Sequence, residues 1–394
     1  MIPVEDIKKR FGTETGLVIL VLRIYFRKET PQALAAYLQG GTINWDFFCQ
    51  LIFEYEIRPV IYKVLSAHQA GVDPDTLARL RQDCFQLAAA SLEKAKEILR
   101  LQTLLRGQGI TSVPYKGAFL SRFLFGDFIT RETRDIDFLI YPSDTIKVTR
   151  LLLAEGYRTD FYYDEQDEDY IVKVSCERSF YKTDQQGRLT SVEIHWQLLP
   201  PSFDVPLQNA ELLQHLEVEQ VYGKEVNLLN TSFNFLSLIT HHGVNDVWRT
   251  LKHVVDLGTF VEHKADSIDW EWVRKKTGQL KIKKALETGF YLADDLLGID
   301  PPPGYKLHRG KDGGRVLENL LAYPMLTKLK YSWKHFSQHL ALRDNRMHQL
   351  KLVVNSLKLL FMPTANDLKS LRLPSALFFL YYFIKPFRLL QDRL

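Results

Sequence analysis

The chain has 394 residues, 46% of them hydrophobic and 12% aromatic, which is ample to bury a core and long enough for two or three compact units. Its 51 basic and 47 acidic side chains leave a net charge of +4. So slight a basic excess disfavours a polymeric nucleic acid as partner.

The N-terminus, MIPVEDIKKRFGTETGLVIL, lacks the basic start, apolar run and small-residue cleavage site of a signal peptide. Up to Arg106 the pattern is helical. Asp75 is a candidate cap for a long helix through LARLRQDCFQLAAASLEKAKEILRLQTLLR, stopped by Gly107 and Gly109. From Ile110 the texture changes: ITSVPY is short and rich in β-formers, Lys116-Gly117 follows, and AFLSRFLF reads as helix. DIDFLIY then alternates with period two and ends at Pro142. Ser143 or Asp144 can cap the next helix, which closes at Gly156. The acidic run from Asp164 to Asp169 reads as a solvated loop. IVKVSCERSFYK and LTSVEIHWQL read as two strands joined through Asp184 to Gly187. Beyond Pro200-Pro201 the pattern is mainly helical, with a short strand pair around Val221 to Leu228 and a helix, FNFLSLITHH, capped by Thr231. The expected organisation is a helical region over 1–106, an α/β core over 107–201 and a mainly helical domain over 202–394. The three cysteines, Cys49, Cys84 and Cys176, are too scattered for a disulfide framework and read as thiols in a reducing cytoplasm. The most apolar stretch, Ala376 to Ile384, is far short of the roughly 20 residues that span a bilayer. A soluble cytoplasmic protein without a transmembrane segment is expected. The segment LFFLYYFIKPFRLL is expected to pack on the core rather than on a membrane or partner.

A D-x-D pair arises about once by chance in a chain of this size, and the sequence holds its own controls. Asp73-Pro-Asp75 sits at a helix start, where carboxylates cap free amides, and Asp167-Glu-Asp169 lies in the acidic run. Asp135-Ile-Asp137 differs because it opens a hydrophobic strand. Period two sends both aspartates to one face and Ile136, Phe138 and Ile140 to the other. Two carboxylates so aligned repel each other and lose hydration, a cost that cations between them relieve. Oxygen ligands suit Mg²⁺ or Mn²⁺. In SVEIHW the same period aligns Glu193 with His195, and a third carboxylate on a neighbouring strand would complete a two-metal site. Lys116-Gly117, between strand and helix, offers a close backbone approach, a helix N-terminus and a point charge for phosphate. His241, His242 and His253 lack the spacing of a zinc motif and read as packing or cap residues.

These pieces, in this order, resemble the polymerase β-like nucleotidyltransferase superfamily. More closely the chain is similar to a bacterial family of uncharacterised nucleotidyltransferases. That likeness rests on Lys116-Gly117, on Arg131 four residues before Asp135-Ile-Asp137-Phe-Leu-Ile, and on Glu193-Ile-His195-Trp196. It continues through HHGVNDVWRTLKHVVDLGTF, at His242, Trp248, Leu251 and Asp256, and into MPTANDLKSLRLP, so that it spans roughly Leu101 to the end. The turn holds Lys-Gly where characterised relatives have Gly-Ser or Gly-Gly. The resemblance implies an α+β fold: a small mixed-sheet polymerase β-like core flanked by N-terminal and C-terminal helical regions. It implies a metal-dependent enzyme that transfers a nucleoside monophosphate from a nucleoside triphosphate, ATP among them, to an unidentified acceptor hydroxyl, releasing pyrophosphate. Asp135, Asp137 and Glu193 would be the catalytic Mg²⁺ or Mn²⁺ ligands. Lys116, Gly117, Arg131 and Arg134 would hold the nucleotide. His195, Lys252 and His242 would stand on the acceptor side. The competing readings are a nucleotide-binding or protein-interaction module of the same fold with little turnover, and an RNA-modifying enzyme. The near-neutral charge and lack of an aromatic-basic stripe disfavour the second.

Overall fold

The structure, a computed structural model, describes residues 1–159, 165–305, 307, 310–322, 333–359, 361–363, 367, 371 and 373–391. The architecture is α+β. A four-stranded mixed sheet and a two-stranded sheet occupy the middle of the sequence, with helices before and after them. Two compact units emerge, each assembled from three separate stretches: 1–95, 117–133 and 234–342 in the first, and 96–116, 134–233 and 343–394 in the second. These units do not coincide with the three consecutive segments expected from the sequence.

The first unit is helical. Its helix Thr13–Tyr25 buries every residue from Thr15 to Ile24, including Arg23, whose guanidinium donates to the carbonyls of Ile2, Asp295 and Leu296. A helix buried all round has no polar face, so the single arginine is placed where carbonyls accept from it. Trp248 is fully buried and donates from Nε1 to Ala285 O at 2.9 Å. Gly289 lies against it: a Cβ there would stand 2.3 Å from the indole, so no larger residue fits without displacing the ring.

The second unit holds the sheets. Strand β1 (Ser112–Pro114) pairs antiparallel with β2 (Ile136–Ile140). The latter runs parallel to β4 (Leu189–His195), which pairs antiparallel with β3 (Glu177–Thr183), giving the order β1-β2-β4-β3. β2 is central and buried along its whole length, as a strand covered on both faces should be. A hairpin of β5 (Leu216–Val221) and β6 (Lys224–Leu229) follows, as expected from the sequence. Ile171, Trp196 and Tyr381 form a buried cluster, with Trp196 Nε1 donating to Val172 O and Ser175 O. The C-terminal aromatic segment is therefore divided. Tyr381 and Lys385 are buried, whereas Phe379, Tyr382 and Phe383 are exposed.

Several local expectations are corrected. The long helix Pro74–Gly107 is capped by Asp73, which accepts from Thr76 N at 2.7 Å, and not by Asp75. Pro74 takes the first helical position, where its missing N–H costs nothing. Asn230 rather than Thr231 caps the helix Thr231–Ile239, accepting from Phe233 N. The acidic run is not a loop: its described part forms the short turn Glu165–Asp167 and the start of the helix Glu168–Val174, while Asp164 lies outside the described residues. That helix takes up Ile171 to Val174, which the sequence suggested as strand. The reason is Glu168, drawn inward to the buried Arg178 of β3 at 2.7 Å, with Thr149 Oγ1 accepting a second guanidinium bond. Much of MPTANDLKSLRLP also lies outside the described residues. Among the described residues no helix is long and apolar enough to cross a membrane.

Candidate functional site

Strand register assembles the site. In the parallel pair β2·β4, Asp137 lies beside Glu193 and Leu139 beside His195. In the antiparallel pair, Glu177 of β3 lies opposite His195. Neighbouring positions on adjacent strands share a face, so three carboxylates surround one imidazole. His195 Nε2 is 3.0 Å from Asp137 Oδ1 and 3.5 Å from Glu193 Oε2, and Nδ1 is 3.0 Å from Glu177 Oε2. One ligand atom from each of Asp137, Glu193 and His195 falls within 4.8 Å of the other two. Asp135 stands outside this group, half-buried, one residue before β2 begins.

Lys116 closes the arrangement from the turn after β1. Its Nζ lies 2.9 Å from Asp137 Oδ1 and 4.8 Å from the centre of the Tyr115 ring. Gly117, the first residue of the helix Gly117–Phe125, has φ of 61°, a left-handed value that explains why glycine follows the lysine. Burial acts against the charge of Lys116, but Asp137 outweighs it and holds the ammonium pKa well above its ordinary value. Burial likewise pushes the Asp137 carboxyl up, and Lys116 and His195 overcome it, leaving Asp137 well below the carboxylate range. For His195, burial disfavours the cation, yet Asp137, Glu177 and Glu193 raise its pKa to about 10. The Glu177 carboxyl is pushed up by burial and brought below its ordinary value by His195. Near neutral pH the group is thus ionic, with the Asp137 and Glu177 carboxylates set against the Lys116 ammonium and the His195 imidazolium. The repulsion expected between Asp135 and Asp137 is answered here by a lysine and an imidazolium. The carboxylates of Asp137 and Glu193 fit a divalent cation, which would have to displace a proton from His195 before its nitrogen could join them. Oxygen donors suit Mg²⁺, and a nitrogen donor tilts the preference towards Mn²⁺.

The other candidate residues lie elsewhere in the fold. Arg131 is buried in the first unit, its Nε 2.9 and 3.1 Å from the two carboxylate oxygens of Asp256 and its backbone N–H bonded to Ser121. Arg134 is exposed at the entry to β2. His242 is buried in the first unit and bonded through Nε2 to Asp256 Oδ2 at 3.0 Å. Lys252 is paired with Glu56 in the same unit. Two participants escaped the sequence reading, Glu177 and Tyr115. The closing pair of the hairpin, Thr183 with Leu189, sets residue 177 opposite 195, whereas the turn read from the sequence, Asp184 to Gly187, would set it opposite 194 and so misplace Glu177. Nothing in the sequence marked Tyr115, whose hydroxyl is buried.

The model of the uncharacterised nucleotidyltransferase family matches residues 41–298. Among solved structures, an antigenic nucleotidyltransferase-like protein from Paracoccidioides brasiliensis is similar over 53% of this chain and 94% of its own, at 16% identity and a TM-score of 0.33. No curated protein matches the chain.

Proposed function

Because the chain belongs to the uncharacterised nucleotidyltransferase family, we propose that it transfers a nucleoside monophosphate from a nucleoside triphosphate to an acceptor hydroxyl. The acceptor oxygen forms a bond to the α-phosphorus. The bond from that phosphorus to the bridging oxygen breaks, and pyrophosphate leaves with the electron pair. The observation that carries this reading is the parallel register that sets Asp137 beside Glu193, with ligand atoms close enough to share an ion.

Asp137 and Glu193 would hold divalent Mg²⁺ or Mn²⁺, with Asp135 at the strand entrance as the third acidic residue. Such ions stabilise the charge that develops on the transferring phosphoryl group. Glu193, a quarter exposed, is assigned to the attacking side, where a carboxylate can accept the proton of the acceptor hydroxyl. Lys116 is assigned to the triphosphate and Gly117 to the close approach of a phosphate to the backbone. Arg134, exposed at the entry to β2, is assigned to a phosphate. His195 fixes the carboxylates. The acceptor remains of the hydroxyl class.

The charge pairing of Asp137 with Lys116 and His195 also supports a second reading, a nucleotide-binding module with little turnover, because the group is largely neutralised without metal. Pyrophosphate release from a nucleoside triphosphate mixture with Mn²⁺ or Mg²⁺ separates the two. The enzyme reading expects release that falls by orders of magnitude in Glu193→Gln with nucleotide binding retained. Binding without release in the wild type would sink it.

A further inference from the structure

A second cluster of ligand-type side chains lies in the first unit. The helix Thr231–Ile239 runs into a wider π-helical turn, Thr240–Asn245, and the chain then reverses through Val247 and Trp248, both left-handed at φ of 45° and 57°. The helix Leu251–Lys264 follows, with His253 in its first turn. This path draws His241, His242, Asp246 and His253 together, so that one donor atom from each lies within 4.8 Å of the other three. His241 and His242 face each other Nδ1 to Nδ1 at 3.1 Å. Asp246 Oδ2 is 3.4 Å from both His241 Nδ1 and His253 Nε2.

We propose that these four side chains form a structural site for one divalent transition-metal ion of the zinc class. The spacing is the first argument. A tetrahedral zinc site with bonds of about 2.05 Å has ligand–ligand edges of about 3.3 Å, and the three distances bracket that value. Nitrogen–oxygen contacts of 3.4 Å are long for hydrogen bonds, which lie at about 2.7–3.2 Å, so ordinary pairing does not explain them. His253 is the second argument. It is 3% exposed and lies face to face with His242, ring centres 4.1 Å apart, with its Nε2 turned to Asp246 Oδ2 at 3.4 Å. Two imidazoles buried side by side against a carboxylate need a reason, and a shared ion supplies one once one ring turns to bring both nitrogens onto it.

The surrounding shell points the same way. Asp256 accepts from His242 Nε2–H and is anchored by Arg131 Nε. The hydrogen on Nε2 leaves His242 Nδ1 as the lone-pair nitrogen, directed into the cluster. A carboxylate behind a ligating imidazole is the usual partner of such a ligand. For Asp246, Asn245 Nδ2 at 3.2 Å and Arg249 at 3.7 Å hold Oδ1, which leaves Oδ2 to the histidines. Three imidazoles and one carboxylate favour zinc over magnesium. Four protein donors leave no open position, so the ion is a staple between the π-helical turn and the returning helix.

The test uses untagged full-length protein, loaded with zinc, dialysed against metal-free buffer and measured by elemental analysis. About one zinc per chain should remain, and replacement by cobalt should give the visible bands of tetrahedral Co²⁺. His241→Ala and His253→Gln should each weaken zinc binding at least about tenfold, and chelation should lower the melting temperature of the wild type but not of His241→Ala. His241 is the ligand with most solvent contact, so its variant stands if His253→Gln does not fold. The double change Asp137→Asn with Glu193→Gln, in the other unit, should leave the zinc content unchanged. Wild-type protein retaining less than about a tenth of a zinc per chain would overturn the proposal. So would zinc that disappears with the Asp137/Glu193 change.

Discussion

Asp137 is the residue on which most of the site's charge converges. Lys116 and His195 each contact Oδ1, at 2.9 and 3.0 Å, inside a strand that is buried throughout. Removing one member of a buried ionic group leaves the others uncompensated, at a cost of roughly 3–5 kcal/mol. Asp137→Asn is therefore expected to lose about that much stability in chelator, read by urea denaturation. Unchanged stability would mean that the lysine and imidazolium are not held there. From the sequence alone the opposite outcome follows, because the D-x-D spacing shows two like charges and no partner. Lys116 precedes Asp137 by twenty-one residues, and only the β1–β2 pairing brings its ammonium across. Asp137, Glu193 and His195 were legible because a period of two is written in the chain, whereas Asp135 lies before β2 begins and outside their group. Glu177 was not, since its face depends on which residue the hairpin sets opposite it.

At the scale of elements, two groups of ionic contacts hold secondary structure in place. Glu168 and Arg178, 3% and 4% exposed, join the helix Glu168–Val174 to β3. Glu168→Gln leaves a buried guanidinium without its counter-charge, so a loss of about 3 kcal/mol is expected in urea melts. Glu168→Asp, which keeps the charge, should recover part of it. The acidic composition of this stretch concealed the helix, because a run of carboxylates reads as solvated unless the arginine inside is known. On the helix Pro74–Gly107, Glu97 binds Arg100, which also reaches Glu155, and Tyr157 donates to Glu97. Burial pushes the Glu97 carboxyl up, but Arg100 and Tyr157 outweigh it and bring it below its ordinary value. A depressed carboxyl stabilises the fold fully above its unfolded pKa, about 4.3, and the contribution is lost as pH falls through the folded value. The melting temperature of Glu97→Gln should therefore lie below wild type at pH 7 and approach it below about pH 4. A gap that is constant with pH would show that the charge of Glu97 does not matter.

At the scale of the whole molecule, connectivity dominates. The backbone passes from one unit to the other after residues 95, 116, 133, 233 and 342, so no contiguous piece contains either unit. A fragment covering 96–233 holds the four-stranded sheet yet lacks 343–394, which supply Tyr381 to the cluster around Trp196. Such a fragment is expected to show no cooperative melt, and a sharp transition at the wild-type temperature would contradict this. Composition revealed that more than one unit exists, but the sequence reads as consecutive blocks. Discontinuous units are set by long-range packing of apolar faces, which local periodicity does not encode.

That interleaving also governs how the protein is made. During synthesis the first unit lacks a segment until residue 342 has emerged, and the second is incomplete until still later. The helix Thr13–Tyr25, buried from Thr15 to Ile24 in the finished fold, finds most of its packing on helices before residue 67, but its Arg23 must wait for the carbonyls of Asp295 and Leu296. Contacts separated by hundreds of residues form slowly, and unpaired apolar surface aggregates in the interval. Nascent chains of this protein should therefore depend on chaperone holding until nearly the whole chain is made, and stalled ribosomes carrying fewer than about 340 residues should yield protease-sensitive products.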